Sequence, residues 1–147
     1  MPCPRLACRA VILSEARLLL VNAWPGNESD LWCAPGGGVE RGASLPENLA
    51  REVMEETGLT VAVGLPCLVN EYHDPAGTFH QVEIFFRCTV TAGTLTDDWQ
   101  DPEGIVHKRR WFDRQALAGL HLKPDSLRDI PWQDEGLLYD PLEALAR

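Results

Sequence analysis

REVMEETGL, residues 51–59, sets three glutamates within five positions, directly before a glycine. At about 100° per residue, Asn48, Glu52, Glu55 and Glu56 fall on one face of a helix. Leu49, Ala50, Val53, Met54 and Thr57 fall roughly opposite, which predicts an amphipathic helix with an apolar stripe against a sheet. The flanks set its ends. Ser44 with Glu47 three residues on forms a capping box, Pro46 fits the first turn, and Gly58 is placed to stop the helix after Thr57. Like charges at helical spacing destabilise, and no lysine stands among the glutamates to compensate them. Two readings compete: a solvated acidic face, or carboxylates that hold a cation.

The segment just upstream, LWCAPGGGVERGAS (31–44), is extended and then rich in glycine, so its backbone can approach another molecule closely. Gly37 and Gly38 are therefore candidate substrate-binding positions. Carboxylates beside backbone carbonyls make a hard oxygen site of the kind that Mg²⁺ or Mn²⁺ prefers.

Further out, Leu6–Leu13 and Arg17–Trp24 read as a hairpin turning at Ser14-Glu15-Ala16, followed by the polar loop PGNESD. Past Gly58 the chain reads as strands LTVAVG, PCLVNEYH and HQVEIFFRCTVT, with a turn at DPAG (74–77). In the third, Val82, Ile84, Phe86 and Cys88 alternate with Gln81, Glu83, Phe85 and Arg87, a half-buried pattern. The acidic loop TDDWQDPEG, a strand IVHKRRWF and a short helix DRQALAGL follow; the tail from about residue 121 has no clear period. The order predicts an α/β (α+β) fold with a mixed, mostly antiparallel sheet, as one domain over 1–147.

At 147 residues and 45% hydrophobic content, the chain is long and apolar enough for a core without metal or disulfide staples. A net charge of −9 argues against a nucleic acid polymer or an anionic membrane as partner. An anionic ligand such as a polyphosphate would then need a cation to mediate. Five scattered cysteines without CxxC spacing read as small hydrophobes in a reducing cytoplasm. The N-terminal apolar run is broken at residues 14–17, too short for a membrane span.

The motif Gly37-x5-Ala43-x7-Arg51-Glu52-Val53-x-Glu55-Glu56-x-Gly58-Leu59 resembles the Nudix box of MutT-like hydrolases. The match departs at one position: Ala43 stands where that family has its first glutamate. The lead-in from Trp32 to Gly38 is also similar. The resemblance implies a mixed sheet sandwiched between helices and a hydrolase of nucleoside diphosphates linked to another group: a nucleoside triphosphate, ADP-ribose or a nucleotide sugar. It implies Glu52, Glu55 and Glu56 as ligands of Mg²⁺ or Mn²⁺, joined by the Gly36 carbonyl, with Arg51 orienting the cluster. It also implies a nucleotide-derived small-molecule substrate, and many members dimerise, so a homodimer is a further expectation. Glu47, four residues before Arg51, is the substitute partner expected for the missing glutamate.

Hydrolysis of a phosphoanhydride needs an activated water, charge neutralisation and a base. Glu52 and Glu56 can each ligate or deprotonate, and the sequence does not separate these roles. Glu103, with Asp97, Asp98 and Asp101 near it, is the candidate base or extra ligand from a later loop; a solvated acidic loop is the competing reading. Glu83 faces either the cleft or solvent. Trp24, Tyr72, Phe85 and Trp99 are weighed as base-stacking groups against plain packing, and Tyr72 is taken as the substrate-binding candidate. His73, His80 and Pro75, around an ordinary turn, assign no substrate. The alternative to an enzyme is a nucleotide-binding or regulatory module of the same fold, for which Ala43 speaks and the intact glutamates do not. A weaker reading is a structural acidic domain that binds Ca²⁺ or nothing.

Overall fold

A computed structural model of the chain describes residues 3–147. It contains β1 (Arg5–Ser14), β2 (Arg17–Asn22), β3 (Trp32–Cys33), β4 (Gly36–Gly38), α1 (Leu45–Thr57), β5 (Thr60–His73), β6 (His80–Ala92), β7 (Arg109–Asp113), β8 (Leu138–Tyr139) and β9 (Glu143–Ala144). Between β7 and β8 run three short 3₁₀ turns, Gln115–Gly119, Asp125–Arg128 and Ile130–Trp132. The sheet is mixed: β1 runs parallel to β6 from Arg5–Gln81 to Ile12–Cys88, while β6 is antiparallel to β5 and β1 to β2. β7 lies antiparallel on β2, β4 on β1, and β8 and β9 run parallel to β5. No helix of the described residues is long and apolar enough to cross a membrane.

The apolar run of β2 is buried on both faces because the sheet has a core on each side. Cys8, Ala10, Ile12 and Leu19 point toward α1 and meet Leu49 and Val53. Val11, Leu18 and Leu20 point the other way, to Leu68, Phe85 and Phe112. That second face is covered by the segment with no readable period. Leu117, Leu122, Leu127 and Ile130 are all within 2% of complete burial. The expected short helix is the 3₁₀ turn Gln115–Gly119, so α1 is the only α-helix among the described residues.

Three strand expectations need correction. The two strands LTVAVG and PCLVNEYH are one strand, β5, because the Gly64-Leu65-Pro66 break is a β-bulge: three steps from Val63 to Pro66 face two from Cys88 to Phe86. In β6 the residues read as the polar side are buried: Gln81, Glu83 and Phe85 are 2%, 4% and 1% exposed. IVHKRRWF is a strand only from Arg109. Before it, the backbone N–H groups of Ile105 and Val106 donate to Asp101, and those of His107 and Lys108 to Asn22, instead of to a neighbouring strand.

Candidate functional site

The Ser44 half of the capping box forms, with Ser44 Oγ accepting from the Glu47 N–H at 3.1 Å, and Gly58 closes α1 in a left-handed conformation at φ 75°. Of the residues placed opposite the acids, Leu49, Val53 and Thr57 are buried, whereas Met54 is exposed. Rotation about the axis thus lays Glu52 and Glu56 at the edge of the buried face. They look into a cleft of about 830 Å³, walled by β4, by Arg5 and Arg9 of β1, by Glu83 of β6 and by Tyr72 of β5.

The glycine strand lets α1 come this close. A Cβ on Gly37 would lie 2.9 Å from the Glu52 carboxylate, and one on Gly36, at φ 148°, would lie 2.0 Å from the Cys8 carbonyl oxygen. Gly36 admits no side chain, and one at Gly37 would displace the Glu52 carboxylate. The Gly36 N–H donates to Glu56 Oε2 at 3.0 Å. Burial pushes the Glu56 carboxyl up to about 8, against the opposing pull of Arg9 and of this hydrogen bond. Burial also raises Glu52, opposed by Arg51 and reinforced by Glu103.

Glu52, Glu55 and Glu103 each place a carboxylate oxygen within 4.8 Å of the others. Three hard oxygen donors from α1 and the 96–104 loop, beside a buried fourth carboxyl, make a set that could hold a small divalent cation. Asp101 does not join them. It organises the loop by accepting from the backbone of Glu103, Ile105 and Val106.

Arg51 has partners despite Ala43, but Glu47 is not among them. Its guanidinium lies 3.2 Å from Glu55, 3.4 Å from Glu52 and 3.6 Å from Glu40. Asn48 supports this arrangement: its Oδ1 accepts from the Glu40 N–H at 2.9 Å and lies 3.4 Å from Arg51, and its amide donates to the Ala43 and Ser44 carbonyls. Glu47 contributes its backbone N–H to the Ser44 cap. Glu40 was not legible as its replacement, because it lies outside the helix.

The cleft floor is a hydrogen-bonded chain of polar side chains. Tyr72 OH accepts from Gln81 Nε2, which also donates to Glu83 Oε2. Glu83 in turn accepts from Asn70 and, at 2.7 Å, from Arg9 Nε. Arg9 NH1 reaches the carbonyls of Ala34 at 3.1 Å and Gly36 at 3.3 Å. Burial pushes Tyr72 up to about 12, with Glu83 adding to the rise, so its hydroxyl stays protonated at neutral pH. Arg9, Gln81 and Asn70 escape a motif-based reading; the available signal was one arginine inside the apolar run of β1.

The remaining candidates separate by position. Gly37, Gly38, Tyr72, Glu83 and Glu103 line the cleft, as does Trp24, whose indole donates to the Ala146 carbonyl beneath Arg147. Phe85 is core. Trp99 donates to the Glu55 carbonyl and covers the end of α1. The His73 and His80 rings pair at 6.2 Å, with His80 4.0 Å from Glu71.

The NUDIX domain model matches residues 4–133. The chain is 32% identical over 95 residues to a Bacillus subtilis (strain 168) protein named "Putative ADP-ribose pyrophosphatase YjhB", covering 63% of this chain and 44% of that protein. It is 33% identical over 98 residues to rat (Rattus norvegicus) diphosphoinositol polyphosphate phosphohydrolase 2, covering 67% of this chain and 50% of the relative. The chain thus spans about half the length of the curated relatives it matches. In structure it is similar to a MutT protein from Bacillus halodurans, with a TM-score of 0.73 at 24% identity, covering 92% of this chain and 86% of that one. At that identity the likeness speaks for the fold.

Proposed function

The chain belongs to the NUDIX domain family, and from that premise we propose that it is a divalent-cation-dependent pyrophosphohydrolase of nucleotide derivatives. The observation that carries the reading is the convergence of Glu52, Glu55 and Glu103 within 4.8 Å at the rim of the cleft. Glu52, Glu55 and Glu56 would hold Mg²⁺ or Mn²⁺ together with the Gly36 carbonyl. A bound divalent cation supplies charge neutralisation on phosphoryl oxygens and a more acidic water.

The chain's own residues do the rest. Glu103, the exposed member of the cluster, accepts the proton of the attacking water at its carboxylate. The water oxygen bonds to phosphorus, the bridging P–O bond breaks, and its electron pair leaves with the departing phosphate. Arg51, between Glu55, Glu52 and Glu40, keeps the α1 carboxylates in register. Gly37 and Gly38 let a phosphate approach the backbone, and Tyr72 with Phe79, rings 5.8 Å apart, offers an apolar flank for a base or sugar.

Two relatives' names point to different substrates, ADP-ribose and a diphosphoinositol polyphosphate. The cleft favours the nucleotide class. Its cationic lining residues are Arg5, Arg9, Lys123 and Arg147, and two of these are already engaged: Arg9 by Glu83, and Lys123 by Glu143 and Asp125. That leaves little positive charge for a densely phosphorylated ring.

The test is a substrate panel of nucleoside triphosphates, ADP-ribose, nucleotide sugars and dinucleoside polyphosphates, with Mg²⁺ or Mn²⁺. Release of a nucleoside monophosphate or of pyrophosphate is expected, and it should fall at least 100-fold, about 3 kcal/mol, in Glu52→Gln. Undiminished turnover in that variant would overturn the site.

A further inference from the structure

One largely buried ion pair in the cleft braces the glycine strand. Arg9 sits in β1, its side chain 17% exposed, and Glu83 beside it in β6 is 5% exposed. Two of the three guanidinium nitrogens of Arg9 are committed within the protein: Nε to Glu83 at 2.7 Å, and NH1 to the carbonyls of Ala34 and Gly36 and, at 4.0 Å, to Cys33 Sγ. Glu83 accepts from Arg9, Gln81 and Asn70. Nε and NH1 of Arg9 and the Glu83 carboxylate thus act first on the protein itself, at the glycine strand.

We propose that Arg9, neutralised by Glu83, is a positioning residue that fixes the Gly36 carbonyl toward the carboxylates of α1. The same peptide segment is held from both sides, since the Gly36 N–H donates to Glu56 and its carbonyl accepts from Arg9. A carbonyl oxygen has two lone pairs. With one taken by Arg9 the other has a fixed direction, available to a cation. Arginine suits the task because one planar fork reaches Glu83 and two alternate carbonyls at once, which an ammonium point charge does not. Glu83 is needed because a bare guanidinium beside a cation site would repel its ligand. The pair delivers two oriented donors with no net charge.

The inference takes its functional meaning from the proposed cation site, so the test has an arm that does not need it. The informative variant is Arg9→Gln/Glu83→Gln, which keeps the pair's net charge at zero and removes only the fork. Mn²⁺ alone, titrated by electron paramagnetic resonance of the free ion, should bind about tenfold or more weakly, as outer-shell changes do. Without metal, amide exchange over residues 35–39 should accelerate while that of α1 holds. Arg9→Lys, which keeps the charge and the fold but not the fork, should fall between the two. Mn²⁺ affinity equal to wild type in either variant overturns the proposal, as does exchange that rises evenly across β1, β6 and α1, the mark of a purely structural pair. Should wild-type protein itself take no Mn²⁺, the cation reading fails. The exchange at 35–39 then decides positioning alone: local acceleration supports it and none refutes it.

Discussion

Glu56→Gln should stabilise the protein when cations are chelated, and the size of the effect follows from burial. Glu56 is 8% exposed, and its carboxyl is raised from the ordinary 4.5 of a glutamate to about 8. A folded-state value above the unfolded one contributes stability that is fully present below about pH 4.5 and is lost as pH rises through 8. Over that window the loss approaches about 5 kcal/mol, and about 3 kcal/mol is already gone at pH 7. Glutamine is neutral throughout, and its carbonyl can still accept from the Gly36 N–H. In EDTA at pH 7 to 8 the variant should therefore melt higher by roughly 10 °C, taking about 3 °C per kcal/mol for a chain of this size. The difference should vanish near pH 4.5. Excess Mn²⁺ should reverse the order, because a ligand stabilises only the form that binds it. Differential scanning calorimetry across pH, with EDTA and with Mn²⁺, reads all three. Equal melting of the two proteins in EDTA at pH 8 would refute the argument, since it would mean that Glu56 ionises without cost.

The same shift predicts proton release: Mn²⁺ binding at pH 7 should liberate close to one proton from Glu56 and almost none at pH 9, read by calorimetry in buffers of different ionisation enthalpy. Ala43→Glu should be tolerated, because Ala43 is exposed, and should add at most about 1 kcal/mol through Arg51; a loss of stability in urea denaturation would contradict the described surroundings. Ile130→Ala, at a site 2% exposed under the sheet, should cost about 2–5 kcal/mol. A cost under about 0.5 kcal/mol in the same assay would mean that the 3₁₀ segment is not part of the core.

What the sequence discloses here is what is local. The acids of α1, its Ser44 cap and its Gly58 stop are set by spacing within one turn or two, so they read correctly. The hairpin of β1 and β2 does so for the same reason. Continuity of β5 through Gly64-Leu65-Pro66 does not, because a bulge uses the same residues as a turn and only the partner strand tells them apart. The cover on the second sheet face was illegible because 3₁₀ turns carry no sustained period. Leu122, Leu127 and Ile130 have meaning only against Val11 and Phe85. In the candidate site, the motif pointed to Glu52 and Glu56, which line the cleft, and to Glu55, which clusters with Glu52 and Glu103. Arg9 and Glu40 were not legible, since each acts across the fold: Arg9 on the peptide of Gly36, Glu40 on Arg51 from outside the helix.

The crowding of acids that marks the sequence is managed by three distinct devices when no cation is bound. Glu56 is neutralised by a proton that burial retains. Glu55 and Glu52 share Arg51, which lies 3.2 Å and 3.4 Å from them. Glu83 is matched one-to-one by Arg9. These devices differ in how easily a divalent cation displaces them. The proton on Glu56 leaves into solvent at a cost set by pH, and Arg51 is partly exposed and can turn toward Glu40. The Arg9–Glu83 pair is anchored to two backbone carbonyls and further held by Gln81 and Asn70. A cation entering the cleft would thus remake the contacts of α1 while leaving the floor unchanged.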